Sequence, residues 1–197
     1  MQTILVIGQI GVGKSLFMSL LKERACSIFI ADCEIEKLWR FQSPCYTELK
    51  ELFFEADFYF KDGNFNKKKI SHSIFKDLKR KKSLEKILHP RVRQSFQEFV
   101  KKEKQKKTPY VFYEAPLISF NLFKEFDKSI LIITDKKIQK ERLLKRGLSV
   151  SEIKECLENQ ISNREVKRQV DFTVDNRKDI FYLKQQIQQI LKKLNKK

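Results

Sequence analysis

The chain has 197 residues, of which 41% are hydrophobic and 34% are charged, and its formal net charge is +17. A disordered chain would contain fewer hydrophobic residues, and no apolar run approaches the roughly 20 residues that a membrane-spanning helix needs. The composition therefore predicts one compact domain, or one domain with an insertion, and no membrane segment.

Five short runs rich in β-branched and aromatic residues predict buried strands. They are Ile4–Ile7, Ile28–Ile30, Tyr110–Tyr113, Ser129–Thr134 and Asp171–Val174. The segments between them are long enough to hold helices, which predicts an α/β fold with a mostly parallel five-stranded sheet flanked by helices.

Three longer segments have helical rather than strand patterns. Residues 33–108 show helical apolar spacing and are too long for one crossover, so we expect a helical insertion. Residues 135–160 carry a basic run before Gly147 and then a helix start near Ser149, where Glu152 can support a cap; this predicts a mobile helical lid. Residues 179–197 have the spacing of a closing amphipathic helix.

The elements divide the chain into three predicted parts. The nucleotide-binding core comprises residues 1–32, 109–134 and 161–197, the insertion 33–108 and the lid 135–160.

The first predicted strand runs into a glycine-rich loop that reads Gly8-Gln9-Ile10-Gly11-Val12-Gly13-Lys14-Ser15, and the helical stretch Leu16–Lys22 follows. This is the spacing Gly-x-x-x-x-Gly-Lys-Ser between a strand and a helix, which is typical of a P-loop. Its backbone N–H groups surround phosphate oxygens, the lysine reaches the β and γ phosphates, and the serine hydroxyl binds Mg²⁺. We therefore predict that ATP and Mg²⁺ are cofactors, with Lys14 catalytic, Ser15 a metal ligand, and Gly8 through Leu16 in contact with the nucleotide.

Two carboxylates follow predicted strands, at the sheet edge where ligands bind in open α/β folds. Asp32 comes after Ile28–Ile30 and is placed to accept the proton of a hydroxyl nucleophile; alternatively, it caps a helix over Cys33–Phe41. Glu114 follows Tyr110–Tyr113 and could hold Mg²⁺ through water or orient the acceptor.

Arg142 and Arg146 lie one helical turn apart in the predicted lid, so both side chains can point to one side. A closing lid would bring them to the transferring phosphoryl group, with Arg142 on the nucleotide and Arg146 in a catalytic role. The alternative is a solvated basic face.

Several segments in order along nearly the whole chain resemble the dephospho-CoA kinase family. Ile30-Ala31-Asp32 resembles its Asp-Ala-Asp motif, and Asp62-Gly63-Asn64-Phe65-Asn66-Lys67 resembles Asp-Gly-x-Leu-Asp-Arg. Ile74-Phe75 with residues 84–93 resembles a block containing Leu-Glu-x-Ile-x-His-Pro-x-Val-Arg. Residues 114–118 resemble Asp-x-Pro-Leu-Leu, the lid arginines with Gln160 resemble the family's lid, and residues 170–176 resemble its Ala-Asp…Asn segment near the adenine.

The resemblance implies transfer of the ATP γ-phosphate to the ribose 3′-hydroxyl of dephospho-CoA, the last step of coenzyme A synthesis. It makes Asp32 the catalytic base and adds nucleotide and substrate contacts. Asn176 would lie near the adenine, and the residues that would contact the coenzyme substrate are Asp32, Lys67, His89, Arg93, Glu114 and Pro116. His89-Pro90 could instead simply break a helix.

The chain departs from the family pattern at several positions. Gln9 replaces a loop glycine, Leu16 a threonine, Ile30 the first aspartate, Lys67 an arginine and Glu114 an aspartate; Phe120 stands where a glutamate is usual. These changes leave Lys14, Ser15 and Asp32 in place, so activity is still expected.

Three other functions are alternatives to this interpretation. Another P-loop kinase, acting on a nucleoside or nucleoside monophosphate, would share the loop and lid, but the His89-Pro90 block argues against it. A basic nucleic-acid-binding protein with a vestigial loop would account for the +17 charge, but intact Lys14 and Ser15 argue against decay. A GTPase would normally carry Asn-Lys-x-Asp, which is absent.

We therefore expect ATP and dephospho-CoA as partners, with neither a membrane nor a nucleic acid, and a monomer or weak homo-oligomer. The start of the chain has no leader pattern and its four cysteines have no Cys-x-x-Cys spacing, which favours a cytoplasmic location.

Overall fold

The structure is a computed structural model that describes residues 1–116 and 120–195. Its strands are β1 (Gln2–Ile7), β2 (Ser27–Ile30), β3 (Tyr110–Glu114), β4 (Lys128–Ile133) and β5 (Phe172–Asp175). They form a five-stranded sheet in the order β2-β3-β1-β4-β5, and β1 pairs in parallel with both β3 and β4. The predicted α/β fold is confirmed.

The helices connect these strands and fill the predicted insertion. They are α1 (Lys14–Lys22), α2 (Ala31–Leu38), α3 (Tyr46–Leu52), α4 (Lys67–Lys76), α5 (Leu78–Gln105), α6 (Lys136–Lys145), α7 (Val150–Glu158), α8 (Asn163–Val166) and α9 (Ile180–Asn195). Short 3₁₀ turns occupy Ala56–Phe58 and Phe120–Glu125. Within the described residues, no helix is both long and apolar enough to span a bilayer.

The chain forms two compact units, the first of which comprises residues 1–29 and 103–197. Its core lies between the sheet and two helices, α1 and α9. Leu183, Ile187, Ile190 and Leu194 repeat along one face of α9 and pack with Phe17 of α1. Burying side chains of this size stabilises the fold by roughly 1.5–3 kcal/mol each, so this stripe holds α9 on the sheet.

The second unit comprises residues 30–102 and has its own aromatic core. The Trp39 ring lies 5.3 Å from that of Phe65 and 6.1 Å from that of Phe53. Phe53 in turn contacts Phe58, with ring centroids 5.3 Å apart. These rings bury the apolar side chains that appeared as helical spacing in the predicted insertion.

The structure corrects the helix-breaking interpretation of Pro90. Helix α5 runs without interruption from Leu78 to Gln105 and contains Pro90. A proline inside a helix costs about 3 kcal/mol because it lacks an N–H and crowds the preceding turn. On this helix Leu84, Leu88 and Val92 are all at most 6% exposed, and their burial outweighs that cost.

Two predicted helix starts have different outcomes. Ser149 caps α7 and forms a capping box with Glu152, as expected from the sequence. Asp32 does not cap α2, because Ile30 occupies that position and Asp32 already lies in the first turn. The capping interpretation of Asp32 was therefore wrong, and its carboxylate is exposed.

Candidate active site

The glycine-rich loop joins β1 to α1 and forms a concave turn of backbone. Gly11 has φ +81° and Gly13 has φ +99°, backbone conformations that residues other than glycine rarely adopt. The first bond of α1 runs from the Phe17 N–H to the Gly13 carbonyl at 3.1 Å. The N–H groups of Gly13 through Leu16 precede this bond, so the helix presents donors and a partial positive charge suited to an anion.

Lys14 and Glu114 form a buried ion pair beside the loop. The Lys14 Nζ lies 3.9 Å from the Glu114 Oε1, and the two side chains are only 12% and 7% exposed. Nζ also donates to the Gly8 carbonyl at 2.9 Å. Glu114 ends β3 opposite Val6 of β1, so the parallel pairing of these strands brings a carboxylate to the loop lysine.

Ser15 lies in the first turn of α1, next to Lys14, and its side chain is exposed. Leu16 follows it and is 39% exposed. A hydroxyl at this position is available to a ligand that approaches the helix start, as the loop motif predicts.

Two side chains from distant parts of the chain hold the carbonyl of Val12. The Asn176 Nδ2 donates to it at 2.7 Å and the Arg142 Nη1 at 3.2 Å. Arg142 also donates to the Asn176 carbonyl, which accepts from Thr134 as well. A Cβ on Gly13 would lie 2.1 Å from the Asn176 Nδ2, so the glycine leaves the space that this amide occupies.

Three glutamine side chains form hydrogen bonds at the loop, and one of them, Gln9, belongs to the loop itself. The Ile10 N–H donates to the Gln160 Oε1 at 2.9 Å, and the Gln139 Nε2 donates to the Ile10 carbonyl at 2.7 Å. Gln9 donates from its Nε2 to the Ile161 carbonyl at 3.3 Å. Gln139 is only 5% exposed, and neither it nor the bonds to Ile10 were predicted from the sequence. The sequence signal that could have indicated Gln139 is its position in α6, one turn before Leu143, which is buried.

The two lid arginines have different surroundings. Arg142 contacts the loop and Asn176, whereas Arg146 ends α6 with an exposed side chain. Arg146 has no hydrogen bond or ion pair with its side chain among residues 1–116 and 120–195. Its guanidinium is therefore available to a ligand or to solvent.

The predicted acceptor residues of the second unit have exposed side chains. Lys67 begins α4 and donates to the Glu36 Oε1 at 2.9 Å, and this hydrogen bond holds the pKa of Glu36 below its ordinary value. His89 and Arg93 are exposed one turn apart on α5. A turn precedes α4, and in it the Asp62 carboxylate accepts a hydrogen bond from the Asn64 N–H. This turn leads into Asn66, which caps α4.

The segment after Glu114 is described only in part. Pro116 is half-buried. Leu117 and Ile118, which contributed to the resemblance, lie outside the described residues, as do the side chains of Phe75 and Phe120.

Comparison with known proteins gives the family. Residues 3–181 match the family model described as dephospho-CoA kinase. The chain belongs to the dephospho-CoA kinase family. The dephospho-CoA kinase of Aquifex aeolicus is 26% identical over 196 residues, which cover 100% of this chain and 99% of that protein.

Two solved structures have the same fold. A protein from Thermus thermophilus superposes with a TM-score of 0.83 at 24% identity, covering 98% of each chain. The dephospho-CoA kinase of Campylobacter jejuni gives a TM-score of 0.66 at 24% identity and covers 100% of this chain and 98% of its own. The family's fold is therefore present over the full length of this member.

Proposed function

We propose that the chain transfers the γ-phosphate of ATP to the ribose 3′-hydroxyl of dephospho-CoA and so produces coenzyme A. The observation that carries this proposal is the buried Lys14–Glu114 pair at an intact phosphate loop, in a chain that matches the family over residues 3–181. Another small-molecule kinase would share the loop, but no contact in the described residues favours a different acceptor.

ATP phosphates fit the loop for reasons of charge and space. The helix start supplies N–H donors, and Lys14 can exchange its bond to the Gly8 carbonyl for phosphate oxygens. Arg142 adds a fixed positive charge beside Val12. We assign the nucleotide contacts to Gly8 through Leu16 with Arg142, and we keep Asn176 as the predicted contact near the adenine.

Oxygen ligands for Mg²⁺ are available at the same place. Exposed Ser15 offers a hydroxyl, and Glu114 offers the carboxylate that forms the buried ion pair with Lys14. These are the oxygen donors that Mg²⁺ takes, so Ser15 would hold it directly and Glu114 through water. When bound, the ion neutralises charge on the phosphate oxygens during transfer.

The acceptor hydroxyl loses its proton to Asp32 in this proposal. The oxygen of the acceptor hydroxyl then forms a bond to the γ-phosphorus. The bond between the γ-phosphorus and the oxygen of the β-phosphate breaks, which yields coenzyme A and ADP. Arg146 is exposed and would bind the phosphoryl oxygens as charge moves. We assign the acceptor contacts to Lys67, His89, Arg93 and Pro116 together with Asp32 and Glu114, on the basis of the family resemblance.

The remaining assignments follow from the same activity. We propose that the enzyme works in the cytoplasm as a monomer or weak homo-oligomer, with residues 33–108 receiving the coenzyme substrate and residues 135–160 forming a lid.

A panel assay tests the function. Purified protein is incubated with ATP, Mg²⁺ and either dephospho-CoA, nucleosides or nucleoside monophosphates, and ADP and product are measured. We expect turnover with dephospho-CoA and loss of at least a hundredfold in Lys14→Ala, because a charge-assisted phosphate contact is removed. Lys22→Ala, at the other end of α1, is the control and should retain wild-type activity. Turnover of a nucleoside monophosphate in preference to dephospho-CoA would contradict the proposal.

A further inference from the structure

Ile10 is the third residue of the phosphate loop, and both of its backbone polar groups bind glutamine side chains. Gln160 accepts from its N–H at 2.9 Å and Gln139 donates to its carbonyl at 2.7 Å. The two glutamines are 21 residues apart in sequence, one in α6 and one just after α7. The two peptide units that flank the Ile10 Cα are thereby fixed.

These contacts have a direct effect on the shape of the loop. Gly11 follows Ile10 and has φ +81°, a conformation that a free loop would occupy only part of the time. The next fixed point is the Val12 carbonyl, bound by Asn176 and Arg142. The turn at Gly11 therefore lies between two anchored backbone positions.

The bonds to Ile10 also determine which donors remain for phosphate. The Ile10 N–H is used by Gln160, so the N–H groups that can meet an anion are those nearer the helix start. A loop that is already shaped in this way loses less conformational entropy when ATP binds.

We propose that Gln139 and Gln160 are positioning residues that hold the phosphate loop in its nucleotide-binding shape by fixing the peptide units of Ile10. This inference rests on the proposed binding of ATP at the loop and deepens it. Neither glutamine contacts the nucleotide in this role; each acts through the loop backbone.

The first test is direct ATP binding. Gln139→Met and Gln160→Met keep the side-chain length and remove the amide, and Met adapts well to a partly apolar site. Each should weaken the Kd for MgATP, measured by calorimetry without acceptor, by roughly fivefold to tenfold, which corresponds to loss of one net hydrogen bond. Gln94→Met, an exposed position on α5, is the matched control and should bind MgATP as the wild type does.

The second test uses the opposite polarity of the two bonds. Gln160→Glu keeps an oxygen that accepts from the Ile10 N–H, whereas Gln139→Glu places a carboxylate against the Ile10 carbonyl. Both variants add one negative charge, so we expect Gln160→Glu to bind MgATP more tightly than Gln139→Glu. Hydrogen exchange of the Ile10 amide, followed by NMR, should accelerate in Gln160→Met and stay slow in Gln160→Glu.

The outcomes separate this inference from the proposed function. Wild-type ATP affinity in both methionine variants, or an unchanged Ile10 exchange rate in Gln160→Met, would overturn the positioning role even in an active kinase. If Gln160→Met does not fold, the order of affinity of the two glutamate variants decides. A protein that binds ATP and fails to phosphorylate dephospho-CoA would contradict only the proposed function, since the binding tests need no acceptor.

Discussion

Asp32 is the residue to which we assign the role of the base. Its carboxylate is exposed in the first turn of α2, two residues after β2 ends. A carboxylate can accept a proton from a hydroxyl, and an exposed one is open to an approaching substrate. Both features suit the proposed base.

Asp32→Asn keeps the shape and removes the proton acceptor. We expect kcat with dephospho-CoA to fall by about 10²–10⁴-fold, since general-base catalysis supplies a factor of this size, with little change in the Kd for MgATP. Asp57→Asn, an exposed carboxylate of the same unit, is the control. An unchanged kcat in Asp32→Asn would remove the base assignment.

The residues of the site differ in how visible they are in the sequence. Lys14 and Ser15 were predicted because the loop motif places them at fixed spacing between a strand and a helix. Gln139 and the loop contact of Asn176 were not, because hydrogen bonds between a side chain and a backbone group more than 100 residues away leave no local pattern. Glu114 is intermediate: the end of a strand indicated its place, and only the strand register showed its pairing with Lys14.

At the scale of elements, α6 has one end against the loop and one end in solvent. Gln139, Arg142 and Leu143 contact the loop or are buried, and Leu143 lies where a Cβ on Gly11 would meet it. Arg146 and Gly147 follow, and both residues are exposed. Any lid movement therefore involves the residues between the first two turns of α6 and Gln160, whose side chain also binds the loop.

Arg146 tests the proposed lid. Arg146→Ala should lower kcat by roughly tenfold to a hundredfold and change the Kd for MgATP by less than threefold, because its contact is expected to be strongest with the transferring phosphoryl group. Lys145→Ala removes a neighbouring exposed charge and serves as the control. Losses of equal size in kcat and in affinity for MgATP would indicate that Arg146 binds the nucleotide and has no specific role in phosphoryl transfer.

The presence and type of the strands were predicted more accurately than the residues at which they begin and end. The strands were placed within two residues because short β-branched runs in a doubly covered sheet are distinctive. The continuity of α5 was not anticipated. A proline is a local signal against a helix, and the burial of Leu84, Leu88 and Val92 that outweighs it depends on the folded unit.

For the whole molecule, Glu103 is a buried carboxylate that joins separate parts of the first unit. It accepts from Ser27 at the start of β2, from Thr108 before β3 at 2.8 Å and from Lys106 at 2.7 Å. The Lys106 bond and then the Ser27 and Thr108 hydroxyls lower the pKa of Glu103 from 4.5 to about 2. Its charge therefore stabilises the fold at neutral pH.

This contribution has a defined pH dependence. A depressed pKa stabilises the folded state above the unfolded pKa, and the effect is lost as the pH falls from about 4.5 towards 2. Glu103→Gln should lower the free energy of unfolding at pH 7 by about 1–3 kcal/mol, measured with urea, and the difference from wild type should narrow by pH 3. Glu98→Gln, on the exposed side of α5, is the control. A difference that is equal at pH 7 and pH 3 would contradict the charge assignment.

The bond between Val12 and Asn176 links positions 164 residues apart. The chain is synthesised from its amino end, so the loop motif leaves the ribosome long before the amide that occupies the space beside Gly13. A nascent chain that ends before β5 lacks both Asn176 and the strand that precedes it. The contact that holds the Val12 carbonyl therefore forms only late in synthesis, after β5 has been added at the edge of the sheet.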